Sequence, residues 1–180
     1  MTERRSLQER CSAIELLVVD VDGVLTEGGI VHGSAGLELK QFHVRDGFGL
    51  RCWQRAGKRA AIITGRSSPV VEVRALEVGI GSVVQGAAEK LPAYRRLLAE
   101  TGLLPGQVCY VGDDLPDLPP LRNCGLAAAV ADAAAEVRAA AHYVTRNAGG
   151  RAAVREVVEL ILRCQGVWQP MTDRLRGECL

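Results

Sequence analysis

Asp20 and Asp22 stand one residue apart near the start of the chain, directly after an apolar run. Leu16–Val19 contains β-branched residues and predicts a buried strand, and Gly23 permits the turn that ends it. The two carboxylates are therefore expected at the carboxyl end of a central strand, which borders the ligand crevice in open α/β sheets. Because anions this close repel each other, a hard cation such as Mg²⁺ is the group expected to compensate them.

Polar side chains follow later apolar segments as well: Thr64, Lys90, Asp113, Asp114 and Asp117. If the strands run parallel, Asp20, Thr64 and Asp113 project from the same edge of the sheet. One carboxylate can attack phosphorus and form an aspartyl-phosphate, while a second acid protonates the leaving oxygen and later activates water. A hydroxyl and an ammonium can stabilise the phosphoryl oxygens. This combination predicts metal-assisted phosphoryl transfer.

Each of these groups taken alone has an ordinary structural explanation. A D-x-D-G turn can be solvated, Thr64 can end a strand, and Lys90 can be a surface lysine. The acids of 113–117 can cap a short helix. The functional hypothesis depends on their joint order along one chain.

The elements that must position these groups alternate along the whole sequence. Strands are predicted over 15–21, 59–63, 82–85, 107–111, 125–130 and 142–145. Helices are predicted over 47–56, 69–76, 89–100, 133–140 and 152–165, with a short one ending near Arg122. Alternation of this kind is typical of parallel β-α-β units with helices on both faces of one sheet.

One insertion interrupts this alternation, at about residues 27–44. Residues 29–32 and 37–44 alternate apolar with polar side chains around Gly33-Ser34-Ala35-Gly36, which predicts a β-hairpin. The motif spacings leave no room for a separate cap domain. We therefore expect a single domain over 1–180, whose last residues, at about 167–180, form a polar, basic tail.

Composition excludes several classes of function. The 180 residues carry a net charge of +1 with no basic block, which argues against nucleic-acid binding. The sequence contains no run of about 18 apolar residues, so no membrane span is predicted. The polar N-terminus lacks an export signal, and no C-x-x-C pair occurs among Cys11, Cys52, Cys109, Cys124, Cys164 and Cys179. Reduced thiols and a cytoplasmic location are expected.

The motif order D-x-D-G-V-x-T, T-G-R, lysine and G-D-D-x-x-D resembles the haloacid dehalogenase (HAD) superfamily of phosphatases. More narrowly, residues 15–166 resemble the phosphatases of 3-deoxy-D-manno-octulosonate 8-phosphate (KDO 8-phosphate), through FHVRDG at 42–47, AVREV at 153–157 and QG at 165–166. The resemblance implies a HAD-like Rossmannoid three-layer sandwich without a cap domain. It also implies Mg²⁺-dependent hydrolysis of KDO 8-phosphate in lipopolysaccharide biosynthesis, by a homotetramer whose subunits meet through the hairpin.

The same resemblance implies roles for individual residues. Asp20 would be the nucleophile and a Mg²⁺ ligand, Asp22 the general acid/base and a ligand through its carbonyl, and Asp113 a further ligand. Thr64 and Lys90 would hold the phosphoryl group. Substrate contacts are implied for Asp22 and Lys90 and for a set around the first long helix and two later arginines: His43, Val44, Arg45, Asp46, Gly47, Arg51, Arg66 and Arg74. Arginines suit a substrate that carries both a carboxylate and a phosphate.

Several alternatives stay open on the sequence alone. A phosphatase of a related nine-carbon sugar acid, such as KDN or N-acetylneuraminate 9-phosphate, would carry the same motifs. A signalling receiver domain also combines acids, threonine and lysine, but its acceptor aspartate ends a middle strand, where this chain has Thr64. A non-catalytic assembly module would not need Asp20, Asp22, Lys90 and Asp113 together. The tail is either disordered or reaches a neighbouring subunit.

Overall fold

The computed structural model describes residues 5–177, with the side chains of Ala35, Leu175 and Arg176 outside the description. Its strands are β1 (Leu16–Val19), β2 (Val31–His32), β3 (Glu38–Leu39), β4 (Arg59–Ile63), β5 (Ser82–Val84), β6 (Val108–Gly112), β7 (Leu126–Ala129) and β8 (Tyr143–Val144). Its α-helices are α1 (Leu7–Ser12), α2 (Val44–Arg55), α3 (Pro69–Glu77), α4 (Lys90–Thr101), α5 (Leu118–Leu121), α6 (Ala135–Ala140), α7 (Ala153–Cys164) and α8 (Trp168–Arg176).

Six strands form one parallel sheet in the order β5-β4-β1-β6-β7-β8. Helices α1, α2 and α7 pack together, and α4, α5 and α6 pack together, so helices cover both faces of the sheet. Every residue of β1, β6 and β7 is buried. Continuous apolar strands of this kind are what a sheet covered on both faces requires. The predicted three-layer α/β architecture is confirmed.

The register of the central strands aligns their carboxyl ends. Val19 of β1 pairs with Ile62 of β4 and with Val111 of β6. Asp20, Thr64 and Asp113 therefore follow at the same edge. The chain first builds outward from β1 through β4 to β5 and then crosses to β6, so the strand order reverses beside β1. Such a reversal opens a crevice at the carboxyl edge of the sheet.

Two of the predicted boundaries that differ from the structure lie beside the carboxyl edge or the hairpin. The first strand ends at Val19 rather than Val21, because the carbonyl of Val21 accepts the N–H groups of Val24, Leu25 and Thr26 and closes a turn. Helix α2 begins at Val44 rather than Gly47. There the Nδ1 atom of His43 accepts the N–H of Arg45 and caps the helix.

The hairpin is present and short. Strands β2 and β3 pair antiparallel, with Val31 opposite Leu39 and His32 opposite Glu38, across a 3-10 turn at Ser34–Gly36. Four of its apolar side chains are about half exposed: Ile30, Val31, Leu37 and Leu39. The apolar side of the hairpin therefore faces outward rather than onto the core.

Within the expected polar tail, Trp168–Arg176 form α8, so the disordered alternative does not hold for these residues. The Trp168 side chain is buried, and the guanidinium carbons of Arg155 and Arg163 lie 4.6 and 5.4 Å from its ring centroid. This cation–π packing ties the segment to α7. The remainder of the predicted tail, 178–180, lies outside the described residues.

No helix within residues 5–177 has the length and apolar character needed to cross a membrane. Of the cysteines, Cys11, Cys52, Cys109, Cys124 and Cys164 are free thiols. Cys179 lies outside the described residues.

Candidate active site

A cavity of about 310 Å³ opens at the carboxyl edge of the sheet, beside the reversal in strand order. Its lining includes eight of the polar residues singled out in the sequence: Asp20, Asp22, Thr64, Arg66, Lys90, Asp113, Asp114 and Asp117. Strands β1, β4 and β6 and the start of α4 each contribute to this group. The expected convergence of side chains from separate strands is therefore present.

Lys90 is held between two carboxylates. Its Nζ lies 3.0 Å from Oδ2 of Asp20 and 2.7 Å from Oδ1 of Asp117, and it is almost fully buried. Burial works to lower the pKa of Lys90, but these two carboxylates outweigh it and raise the pKa above its ordinary value. A cation in the first turn of a helix opposes the helix dipole, so the acids are what keep the ammonium there.

Asp117 uses both of its oxygens within the protein. Oδ1 accepts from Lys90 and from the Tyr110 hydroxyl, at 2.7 and 2.8 Å. Oδ2 accepts the N–H groups of Asp113 and Asp114, at 3.2 and 3.4 Å. Asp117 therefore supports the lysine and the turn after β6. Asp114 is also engaged, since its Oδ1 accepts the N–H of Leu115.

The negative charge of Asp20 and Asp113 is only partly compensated by the described residues, since Lys90 pairs with Asp20 alone of the two. Carboxylate oxygens of Asp20, Asp113 and Asp117 lie within 4.8 Å of one another. Oδ1 of Asp20 and Oδ1 of Asp113 are buried without a hydrogen-bond partner in residues 5–177. Burial, followed by the neighbouring carboxylates, raises the pKa of Asp20 to about 6 and that of Asp113 to about 7. Because Asp117 is already bonded, Asp20 and Asp113 are the carboxylates free to hold a hard divalent cation, and their donor chemistry fits Mg²⁺.

Gly23 brings the turn after β1 close to Asp113. Its φ of +92° is unfavourable for other residues, and a Cβ built at this position would overlap the Asp113 carboxylate. A Cβ at Gly149 would in turn overlap the carbonyl of Gly23. Both glycines are needed for the close approach that places Asp22 and Asp113 around one cavity.

Asp22 is held from the hairpin side. Its Oδ1 accepts a hydrogen bond from Nζ of Lys40, and its Oδ2 lies 3.8 Å from Nε of Arg66. Oε1 of Glu38 lies 3.5 Å from both Lys40 Nζ and Arg66 Nη2. Sequence reasoning identified Asp22 and Arg66 and missed Lys40 and Glu38. The available signal was the alternation in β3, which places Glu38 and Lys40 on one face.

Thr64 directly follows β4 and is buried against the cavity. Its N–H donates to the carbonyl of Val84 and its carbonyl accepts from Ala87, at 2.9 and 3.0 Å. These bonds fix the backbone of Thr64 in the cavity wall.

The other predicted substrate contacts do not line the cavity of their own chain: His43, Val44, Arg45, Asp46, Gly47, Arg51 and Arg74. Arg74 donates to the carbonyl of His43, pairs with Glu77 at 2.9 Å, and lies over the ring of Phe42. A Cβ at Gly47 would overlap Arg74, so this glycine makes room for the guanidinium. Val44 and Arg51 are exposed, and Arg45 lines a separate cavity beside α7.

Asp46, another predicted substrate contact, makes a structural contact with α7. The residue is fully buried, and its Oδ1 accepts the N–H of Arg155 at 2.7 Å in the first turn of α7. Burial, only partly opposed by this bond and the nearby cations, raises the pKa of Asp46. Its carboxylate therefore caps α7 through Oδ1, while Oδ2 is buried and has no hydrogen-bond partner within residues 5–177.

Comparisons with known proteins agree with this geometry. The sequence pattern of the haloacid dehalogenase-like hydrolases matches residues 43–125. A KDO 8-phosphate phosphatase of Yersinia pestis is 50% identical over 169 residues, which cover 94% of this chain and 87% of the relative. The corresponding enzyme of Escherichia coli K12 is 50% identical over 167 residues, which cover 93% and 87%.

Solved structures give the same result. The crystal structure of the Yersinia pestis phosphatase superposes with a TM-score of 0.88 at 49% identity, covering 89% of this chain and 87% of the other. The KDO 8-phosphate phosphatase of Moraxella catarrhalis, in complex with a magnesium ion, a phosphate ion and a KDO molecule, superposes with a TM-score of 0.92. That pair shares 40% identity over 93% of this chain and 97% of the other.

Proposed function

Because this chain belongs to the KDO 8-phosphate phosphatases within the haloacid dehalogenase-like hydrolases, we propose that it hydrolyses KDO 8-phosphate to KDO and inorganic phosphate. The observation that carries the proposal is the convergence of Asp20, Lys90 and Asp113 on one cavity at the carboxyl edge. The reaction serves lipopolysaccharide biosynthesis, which uses KDO. Membership of this family argues against the receiver-domain alternative.

In the first half of the proposed reaction, the Asp20 carboxylate attacks phosphorus and forms an aspartyl-phosphate. The bond between phosphorus and the sugar oxygen breaks, and Asp22 gives its proton to that oxygen. Lys90 and Thr64 bind the phosphoryl oxygens. In the second half, Asp22 removes a proton from water, the water oxygen attacks phosphorus, and Asp20 is released together with phosphate.

Asp20 and Asp113, with the carbonyl of Asp22, are the groups proposed to hold Mg²⁺. When bound, the ion supplies positive charge that keeps both carboxylates ionised and offsets the charge of the phosphate. The buried, unpartnered oxygens of Asp20 and Asp113 support this assignment.

We also propose that the chain acts as a single domain without a cap, as a cytoplasmic homotetramer. The half-exposed apolar residues of the hairpin support an assembly, because a two-stranded hairpin of this size is not stable unless it packs on another surface. A neighbouring subunit would then cover the cavity and control access of water during phosphoryl transfer.

A substrate panel tests the activity. Phosphate release from KDO 8-phosphate, KDN 9-phosphate and N-acetylneuraminate 9-phosphate is measured with Mg²⁺ and with a chelator. We expect the highest kcat/KM with KDO 8-phosphate and loss of activity in the chelator. An Asp20→Asn variant is the control for contaminating phosphatases, and it should be at least about 1,000-fold slower because it lacks the nucleophile. A higher kcat/KM with a nine-carbon substrate would instead support the related sugar-acid phosphatase.

A further inference from the structure

We propose that Lys40 is a positioning residue that orients the Asp22 carboxylate for proton exchange with the leaving oxygen. The inference rests on the proposed function, which makes Asp22 the general acid. Lys40 follows β3 in the hairpin, and its side chain is only 1% exposed. The hairpin therefore supplies a side chain that contacts Asp22, which lines the cavity of the same chain.

The two oxygens of Asp22 have different surroundings. Oδ1 accepts the hydrogen bond from Lys40, whereas Oδ2 is buried and has no hydrogen-bond partner within residues 5–177. The Arg66 Nε atom, 3.8 Å from Oδ2, is too far for a hydrogen bond. Lys40 thus holds one oxygen in place and leaves the other for the substrate. Fixing a reacting group in this way contributes directly to rate, since small misplacements of such groups are costly.

Glu38 and Arg66 complete the support of the Lys40 ammonium. Oε1 of Glu38 lies 3.5 Å from Nζ of Lys40 and also 3.5 Å from Nη2 of Arg66. Lys40 is therefore paired with two carboxylates, which is what makes its burial tolerable. Together the four side chains form an alternating set of acids and bases. Asp22 and Arg66 line the cavity, and Lys40 and Glu38 contact them.

In and beside β3, the polar side chains are largely buried and the apolar side chains are exposed, which is the reverse of an ordinary surface strand. Lys40 contacts Asp22, and Glu38 lies near Arg66. Leu37 and Leu39 are instead 55% and 52% exposed. A strand normally buries its apolar face and exposes its polar face. The contact with Asp22 explains why a lysine rather than a leucine is buried here.

Two substrates with different leaving groups separate positioning from a structural role. A sugar alkoxide leaves poorly and needs the proton of Asp22, whereas p-nitrophenolate is stabilised by its ring and leaves without it. The ratio kcat/KM reports only steps up to the first irreversible one, which is release of the leaving group. Later hydrolysis of the aspartyl-phosphate therefore does not affect the comparison.

The experiment compares Lys40→Met with the wild-type protein on both substrates. We expect kcat/KM for KDO 8-phosphate to fall by about 10- to 100-fold, the scale of a misplaced catalytic group. For p-nitrophenyl phosphate we expect a change of less than about threefold, because no general acid is required. Lys58→Met is the matched control. Its Nζ pairs with Glu15 at 2.8 Å beside the opposite edge of the sheet, so both rates should be retained.

Equal losses on the two substrates, or no loss on either, would overturn the proposal. If Lys40→Met does not fold, as judged by thermal unfolding, Lys40→Gln carries the same comparison with a polar side chain in the buried position. If the wild-type protein does not hydrolyse KDO 8-phosphate, the proposed function fails. The role of Lys40 is then tested with whichever unactivated sugar phosphate the wild-type protein does hydrolyse.

Discussion

Among the described residues, most acidic side chains at the cavity are paired with a lysine or an arginine, but Asp113 is not. Lys90 is shared by Asp20 and Asp117, Lys40 and Arg66 face Asp22, and Asp113 has no cation of its own among the described ion pairs. Buried charge without a partner is costly, so protonation or a bound cation must relieve it. We therefore expect the stability of the protein to depend on pH and on Mg²⁺.

The pKa values of Asp20 and Asp113 give the sign of this coupling. Burial and neighbouring carboxylates raise them to about 6 and about 7, from an ordinary value of 3.8. The folded metal-free chain thus binds these protons more tightly than the unfolded chain. Their contribution to the free energy of unfolding falls as pH rises from about 4 to about 7 and is constant above that. Mg²⁺, which binds the ionised form of the folded chain, should reverse the loss.

The measurement is the urea midpoint in Mg²⁺ and in a chelator, at about pH 5 and about pH 7.5. We expect the stabilisation by Mg²⁺ to be larger at the higher pH. Asp113→Asn is the control, since it removes one of the two titrating groups and should reduce the difference between the two pH values. Equal stabilisation at both would contradict the assignment of Asp20 and Asp113 as the metal-binding pair.

At the scale of elements, the parts that sequence could predict are those whose pattern is local. The buried strands are continuous apolar runs, and the acids directly after β1 and β6 follow from the parallel order. Contacts between distant elements could not be predicted in this way. Asp46 lies in the FHVRDG segment, where the family resemblance implied substrate binding, yet it caps α7, which begins more than a hundred residues later. Likewise, the contacts of Trp168 with Arg155 and Arg163 pack α8 against α7, and the local sequence of the tail does not indicate them.

Asp46 gives a prediction at this scale. Asp46→Ala should lower the free energy of unfolding by about 1–2 kcal/mol, because the N–H of Arg155 loses its acceptor at a buried helix start. Asp46→Asn keeps an acceptor oxygen and should lose less. Urea unfolding measures both, and the KM for KDO 8-phosphate should change by less than about twofold in Asp46→Asn, because a helix cap makes no contact with substrate. A large rise in KM with unchanged stability would show that Asp46 binds substrate after all.

At the scale of the whole molecule, the hairpin links the cavity to the outer surface. Its charged side holds Asp22 through Lys40, and its apolar side presents Leu37 and Leu39 outward. Val44, Val73 and Leu76 are apolar side chains elsewhere that are still more exposed. Solvent-exposed apolar side chains gathered on one hairpin indicate an interaction surface. If copies of this chain cover it, assembly and the geometry of Asp22 depend on each other.

Leu39→Glu tests this dependence. The introduced charge would be buried in the interface, so the proposed tetramer should dissociate at micromolar concentration, as measured by sedimentation or light scattering. We expect kcat/KM for KDO 8-phosphate to fall by about 10-fold or more, because the hairpin that holds Lys40 loses its cover and water reaches the cavity freely.

Leu104→Glu is the matched control: Leu104 is 70% exposed between α4 and β6, and the change should affect neither assembly nor rate. A wild-type protein that is monomeric at these concentrations, or a Leu39→Glu variant that stays fully assembled, would show that the hairpin is not the contact between subunits. A dissociated variant with full activity would show instead that one chain alone completes the site.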